Sequence, residues 1–101
     1  MTPGSGEINQ INKIIHEPAR LSIMAVLSSC DQADFKYLMN ETELTKGNLS
    51  SHLAKLEKAG YVDIEKRFVG KLPHTTVSIT RQGLKEFKNY IRNMKMMMKK
   101  M

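Results

Sequence analysis

Apolar residues fall at helical spacing through the first half of the chain, alternate with polar ones after Gly60, and return to helical spacing beyond Thr80. Ile8, Ile11 and Ile15 follow i, i+3, i+7 and predict a first helix over roughly 7–16. Pro18 disfavours helical geometry at Glu17 and suits the first turn of a second helix, which runs to about Ser29. Leu21, Met24, Ala25 and Leu27 would supply its core side. Asp31 to Asp34 reads as a turn, with Asp34 as N-cap of a short third helix that turns Phe35, Leu38 and Met39 inward. Asn40 to Leu44 is the next turn.

The segment from Leu44 to Val62 has both helix ends marked. Thr45 is the N-cap, and Leu44 and Leu49 occupy the two positions of a hydrophobic staple. Gly60 supplies the left-handed stop, after which Tyr61 can fold back on Leu56. Leu49, Leu53 and Leu56 form one stripe. The opposite side carries Gly47, Asn48, Ser51, Ala54, Lys55 and Lys58, with Ser50 on the flank and no large apolar group. Gly47 and Ala54 permit close approach of another backbone. Asn48, Ser50 and Ser51 offer donors and acceptors, and Asn pairs bidentately with adenine. Lys46, Lys55 and Lys58 reach phosphates. A solvated amphipathic helix is the plainer explanation of such a segment, so its surroundings decide.

Val62 and Ile64 alternate with acidic residues, and Val77 and Ile79 alternate with Thr and Ser, which predicts two half-buried strands. The link Phe68 to His74 contains Gly70 and Pro73 and reads as too long for a tight two-residue hairpin. Lys66, Arg67 and Lys71 lie near its tip, where a solvated hairpin competes with phosphate or minor-groove contact. Thr80 caps a last helix running toward Met101. In it Leu84, Phe87, Ile91, Met94, Met98 and Met101 step by 3, 4, 3, 4, 3, a heptad seam. A seam this long exceeds what one small domain covers and points to a partner subunit, although Met96 to Met101 can fray as termini do.

Charge sharpens the picture. The net charge is +6, and it is unevenly placed: residues 1–43 balance to −3, 44–80 to +3 and 81–101 to +6. The basic surface of a nucleic-acid binder therefore falls on the second half. At 101 residues the chain is one domain, with no apolar run near the roughly 18 residues of a membrane span. Residues 1–6 read as a disordered leader without signal-peptide character, 7–80 as the nucleic-acid-binding domain and 81–101 as a dimerisation helix. The lone Cys30 makes no internal disulfide, and a cytoplasmic location is the default.

The order of elements is three helices, a capped helix with a polar and basic face, a hairpin, and a last helix. It is mainly α with a small β-hairpin: a winged helix-turn-helix whose C-terminal helix carries the seam expected for a partner subunit. The residues His16-Glu17-Pro18-Ala19-Arg20-Leu21, Asp34-Phe35-Lys36-Tyr37-Leu38, Gly47 to Leu53, Leu56 to Val62, Phe68 to Thr76 and Ile79-Thr80-Arg81-Gln82-Gly83 carry a resemblance over about residues 8–92. They resemble small winged-helix transcriptional regulators of the multiple-antibiotic-resistance and arsenical-resistance-repressor type, and in particular a compact archaeal and bacterial subgroup. The resemblance implies a homodimer built from N- and C-terminal dimerisation helices, with one recognition helix and one wing per subunit on DNA. His74 stands where many relatives carry arginine, and histidine is a weaker cation than arginine at neutral pH. Metal-sensing relatives carry clustered cysteines, and the single Cys30 does not provide such a thiolate site.

No catalytic or metal-ligating set emerges. Ser50, Ser51 and His52 are adjacent on one helix, which is not the arrangement of a nucleophile and its base, and His16, His52 and His74 have no ligand spacing. Arg20 is read as structural. The expectation is therefore a transcriptional regulator, without cofactor or enzymatic activity, that binds double-stranded DNA as a homodimer. Helix 45–59 would enter the major groove, and wing 66–75 would lie on the backbone or minor groove. The DNA contacts would come from Lys46, Gly47, Asn48, Ser50, Ser51, His52, Lys55, Lys66, Arg67, Lys71 and His74. Ile8, Ile11, Ile15, Leu84, Phe87, Ile91, Met94 and Met98 would form the dimer interface. A winged-helix module for protein contacts in a transcription complex is the rival reading. A membrane role is ranked low, and a small-molecule effector is left open.

Overall fold

The computed structural model describes residues 10–101. Four helices, α1 (Pro18–Leu27), α2 (Phe35–Thr42), α3 (Lys46–Lys58) and α4 (Arg81–Lys99), are described with three strands, β1 (Ala33–Asp34), β2 (Val62–Val69) and β3 (Leu72–Ile79). The strands form one antiparallel sheet in the order β1-β3-β2.

Each helix starts on a side-chain cap. Glu17 accepts from the Arg20 backbone N–H at 2.8 Å, and Pro18 follows as the first helical residue, where its missing N–H costs nothing. Asp34 accepts from Tyr37 N–H at 2.8 Å and opens α2. Thr45 accepts from Asn48 N–H at 3.2 Å and opens α3, and Thr80 accepts from Gly83 N–H at 2.9 Å and opens α4. The end of α3 is a Schellman motif: Gly60 has φ +83°, its N–H donates to Glu57 O, and Tyr61 N–H donates to Leu56 O.

The core joins α1, α2, α3 and the base of the hairpin. Ile23, Met24, Leu27, Leu38, Leu49, Leu56 and Val77 are fully buried, with Val62 and Leu53 nearly so. On α1 the core side is Ile23, Met24 and Leu27, with Leu21 half-buried; Ala25, expected inside, faces solvent. Phe35 and Met39 pack on the core beside Leu38.

Three expectations change. Residues 7–9 of the expected first helix, with Ile8, and the leader 1–6 lie outside the described residues. Residues 10–16 are turns rather than helix. The cause is local: Asn12 Oδ1 accepts from both Ile14 and Ile15 N–H, at 2.9 and 3.0 Å, and so gives the backbone an alternative to helical bonds. This turn drives Ile15 completely into the chain's own core, so Ile15 is a core residue and not a dimer contact. Ile11 packs half-buried against the same core. Second, the expected turn 31–34 contains β1, which pairs Ala33 with Val77 and Asp34 with Thr76. Two residues are too few to show a period.

Third, the link in the hairpin is tight after all. Strand pairing continues through Phe68↔Pro73 to Val69↔Leu72, leaving only Gly70 and Lys71 as the turn. Gly70 has φ +65°, the conformation a two-residue hairpin asks of glycine. Pro73 is tolerated because pairs alternate between bonded and non-bonded. The pair closing a two-residue turn is the bonded one, so Phe68↔Pro73 is non-bonded. The N–H that Pro73 lacks would point away from β2, and β1 pairs only at Thr76 and Val77.

Candidate nucleic-acid interface

The α2–turn–α3 unit presents α3 with its leucine stripe inward. Leu49, Leu53 and Leu56 are buried, whereas Lys46, Gly47, Asn48, Ser50, Ser51, Ala54, Lys55 and Lys58 are exposed. No side chain of the exposed face is larger in its apolar part than a lysine stem. A Cβ added at Gly47 would meet nothing within 4 Å, so space above this residue is open. Of the α3 residues expected to contact DNA, only His52 is half-buried. Arg20 of α1 donates to His52 Nδ1 at 3.1 Å, and Glu17 lies 3.9 Å from the same nitrogen. Because guanidinium only donates, His52 Nδ1 accepts and carries no proton in this contact. Arg20 also donates from Nε to the Ile14 carbonyl. Thus Arg20 is structural, and His52 ties α3 to α1 from the flank of the exposed face.

The Glu17 carboxyl is held below its usual value, chiefly by the Arg20 backbone N–H that it accepts. Desolvation opposes this shift, and the nearby Arg20 charge adds to it, as does His52 only when its ring is protonated.

The hairpin behind α3 brings a second set of cations. Lys66, Arg67, Lys71 and His74 are all exposed, on β2, the turn and β3. Arg67 Nε lies 3.9 Å from Glu65 Oε1, an exposed pair with little energetic weight. On β2 the strand is exposed from Glu65 to Val69, so this half of the hairpin extends past the core.

Contacts that residue patterns did not reveal hold these parts together. Thr80 Oγ1 donates to Gly60 O, and Thr80 N–H donates to Tyr61 O at 2.9 Å. Gly83 packs so closely on Tyr61 that a Cβ there would lie 2.1 Å from the Tyr61 carbonyl oxygen. Asn12 Nδ2 donates to Tyr61 Oη at 2.7 Å and lies 3.3 Å from Glu86 Oε2. His16 Nδ1 and Tyr90 Oη share a hydrogen bond of 2.7 Å, and burial raises the Tyr90 pKa. The end of α3, the start of α4 and the N-terminal turn are therefore one junction. Spacing gives no hint of it, because the partners lie 19 to 74 positions apart.

On α4, Phe87, Ile91 and Met94 pack half-buried on the core, and Leu84 is also half-buried. Met98 and Met101 are 64% and 92% exposed. Leu84, Phe87 and Ile91, with Ser28 and Lys88, line an open groove of about 260 Å³. Among the described residues no group of His, Cys, Asp and Glu can hold a metal, and no helix is long and apolar enough to cross a membrane.

Known proteins share this arrangement. An uncharacterised protein of Methanocaldococcus jannaschii is 39% identical over 79 residues, spanning 78% of this chain and 86% of that one. The structure of a transcriptional regulator homologue from Pyrococcus horikoshii OT3 superposes with a TM-score of 0.85 at 34% identity, covering 93% of this chain and 95% of the other. A MarR-family regulator from Silicibacter pomeroyi shares the fold, with a TM-score of 0.69 at 19% identity over 95% of this chain and 64% of its own. The two solved structures are of a transcriptional regulator and of a homologue of one, not of enzymes. Residues 19–98 match the family described as the winged helix DNA-binding domain, spanning α1 to nearly the end of α4. The chain belongs to that family.

Proposed function

We propose that this protein is a sequence-specific transcriptional regulator that binds double-stranded DNA as a homodimer. The observation that carries the reading is the exposed face of α3, polar, basic and free of large apolar groups, on a helix fixed from behind by buried leucines. Helix α3 lies in the major groove, where Asn48, Ser50 and Ser51 meet base edges and Gly47 lets the backbone approach. Lys46 and Lys55 grip phosphates, and the wing, with Lys66, Arg67, Lys71 and His74, lies on the backbone or in the minor groove. His52 positions α3 through Arg20. The α4 seam, including the groove at Leu84, Phe87 and Ile91, meets its copy in a second subunit. Two reading heads then bind half-sites about one helical turn apart, roughly 34–36 Å.

Titration of DNA across salt concentrations tests this. Affinity is expected to fall with a slope of about −0.9 in log–log terms for each phosphate neutralised. Reversing two cations, Lys55→Glu with Lys71→Glu, is expected to weaken binding at every sequence and flatten that slope. Absence of DNA binding at low salt sinks the reading, as does a doubly reversed variant that binds as the parent does.

A further inference from the structure

The far end of the hairpin is apolar on both faces. Phe68 is 74% exposed, Leu72 67% and Val69 59%. The register pairs Phe68 with Pro73 and Val69 with Leu72. Successive pairs point to opposite sides of a sheet. Phe68 and Pro73 thus continue the face that carries Val62 and Ile64 into the core, and Val69 and Leu72 occupy the other. A hairpin that merely closes over a core needs one apolar face. Two at an exposed tip fit a slot with two apolar walls.

Resting on the DNA-binding reading above, we infer that the wing tip is an apolar wedge that enters and opens the DNA minor groove, led by Phe68 and Leu72. That groove has deoxyribose walls, base edges on its floor and phosphates along its rim. It is about 7.5 Å deep, and a strand rises about 3.3 Å per residue. The Gly70–Lys71 turn and two further pairs therefore fill the depth, and those are the two apolar pairs. The next pair, Arg67↔His74, and then Lys66 come level with the phosphates. Charge thus stands at the rim and, with Lys71 of the turn, at the negatively charged groove floor, while the apolar surface faces the walls. The hairpin itself, with side chains on both faces, is about 10 Å thick, against a groove about 6 Å wide. Entry therefore requires the groove to open. Apolar side chains do this elsewhere by unstacking a base step and bending the duplex toward the major groove. Pyrimidine–purine steps yield most easily, so the tip makes DNA deformability part of this protein's specificity.

The test reads groove opening separately from binding. The full chain is bound to a duplex selected from a random pool, with 2-aminopurine at the step beneath the wing and a donor–acceptor dye pair at the ends. The parent is expected to raise the 2-aminopurine fluorescence and shorten the dye distance. The Phe68→Ser/Leu72→Ser variant, whose changes are both at exposed positions, is expected to lose both signals and about tenfold in affinity. Its salt slope is expected to match the parent's, since no cation is removed. Placing a stiff A-tract beneath the wing is expected to weaken the parent and spare the variant. A parent that binds without either signal overturns the wedge and leaves the DNA-binding reading standing, as does a double variant that bends DNA like the parent. If the double variant instead loses self-association and still bends DNA, the tip belongs to a contact with a second copy and the wedge is overturned. A parent that binds no DNA overturns both readings.

Discussion

Two glycines in helices, Gly47 and Gly83, face opposite circumstances. Alanine is the better helix former by about 1 kcal/mol in a helix interior. At Gly47 an added Cβ meets nothing, so Gly47→Ala is expected to raise stability by about 0.5 kcal/mol while lowering DNA affinity. At Gly83 the added Cβ would lie 2.1 Å from a backbone oxygen that cannot rotate away. Gly83→Ala is therefore expected to cost about 1–3 kcal/mol despite the gain in propensity. Urea unfolding checks both signs, and a stabilised Gly83→Ala protein would refute the tight junction. Glu17 gives a third residue-level expectation. Its folded pKa is depressed, so the charged cap adds stability above the unfolded value of about 4.3. That contribution disappears as pH falls through the lower folded value. The stability gap between the parent and Glu17→Gln is expected to be full above about pH 4.3 and to narrow as pH falls below it, through the lowered folded value. The exposure of Asn48 and Lys55 was legible from the leucine stripe alone. The inward tie of His52 was not, because its partner Arg20 sits 32 positions away on another helix.

Among the elements, α3 and α4 were the most legible, since both ends or the start carry a chemical signal that acts over three or four residues. Thr80 shows why such signals suffice for boundaries and fail for assembly. Its role as cap follows from its position before a helical period; its bond to Gly60 O follows from nothing local. Thr80→Val keeps the volume and removes both bonds, so a loss of about 1–2 kcal/mol is expected in urea unfolding. A loss near zero would mean the junction contributes nothing. The wing was misjudged for a physical reason. Gly70 and Pro73 normally interrupt strands, but here glycine makes the turn and proline occupies a non-bonded pair. The N-terminal turn is not legible in the helical spacing of Ile8, Ile11 and Ile15, because one asparagine side chain, Asn12, caps two backbone N–H groups and ends the helical option there.

As a whole, the molecule is extended for its size. Its Cα radius of gyration is 15.2 Å, where about 13 Å is usual for 100 residues. Helix α4 contributes to this, with 19 residues spanning about 28 Å and its last turns exposed. Truncation after Tyr90 removes Ile91, Met94 and Met98 but keeps buried Tyr90. Sedimentation is expected to show a shift toward monomer, and an unchanged dimer would place the interface elsewhere.

The junction at Thr80 and Gly83 also governs how a dimer would measure its target. Because the end of α3 is fixed to the start of α4 without a free joint, α4 acts as a ruler for the reading head. Slipping the seam by one heptad would slide each head by about 10 Å along the helix axis, the length of roughly three base pairs. Operator spacing would then be written in the register of the α4 seam, from Leu84 through Phe87 and Ile91 to its methionines, far from any residue that touches a base.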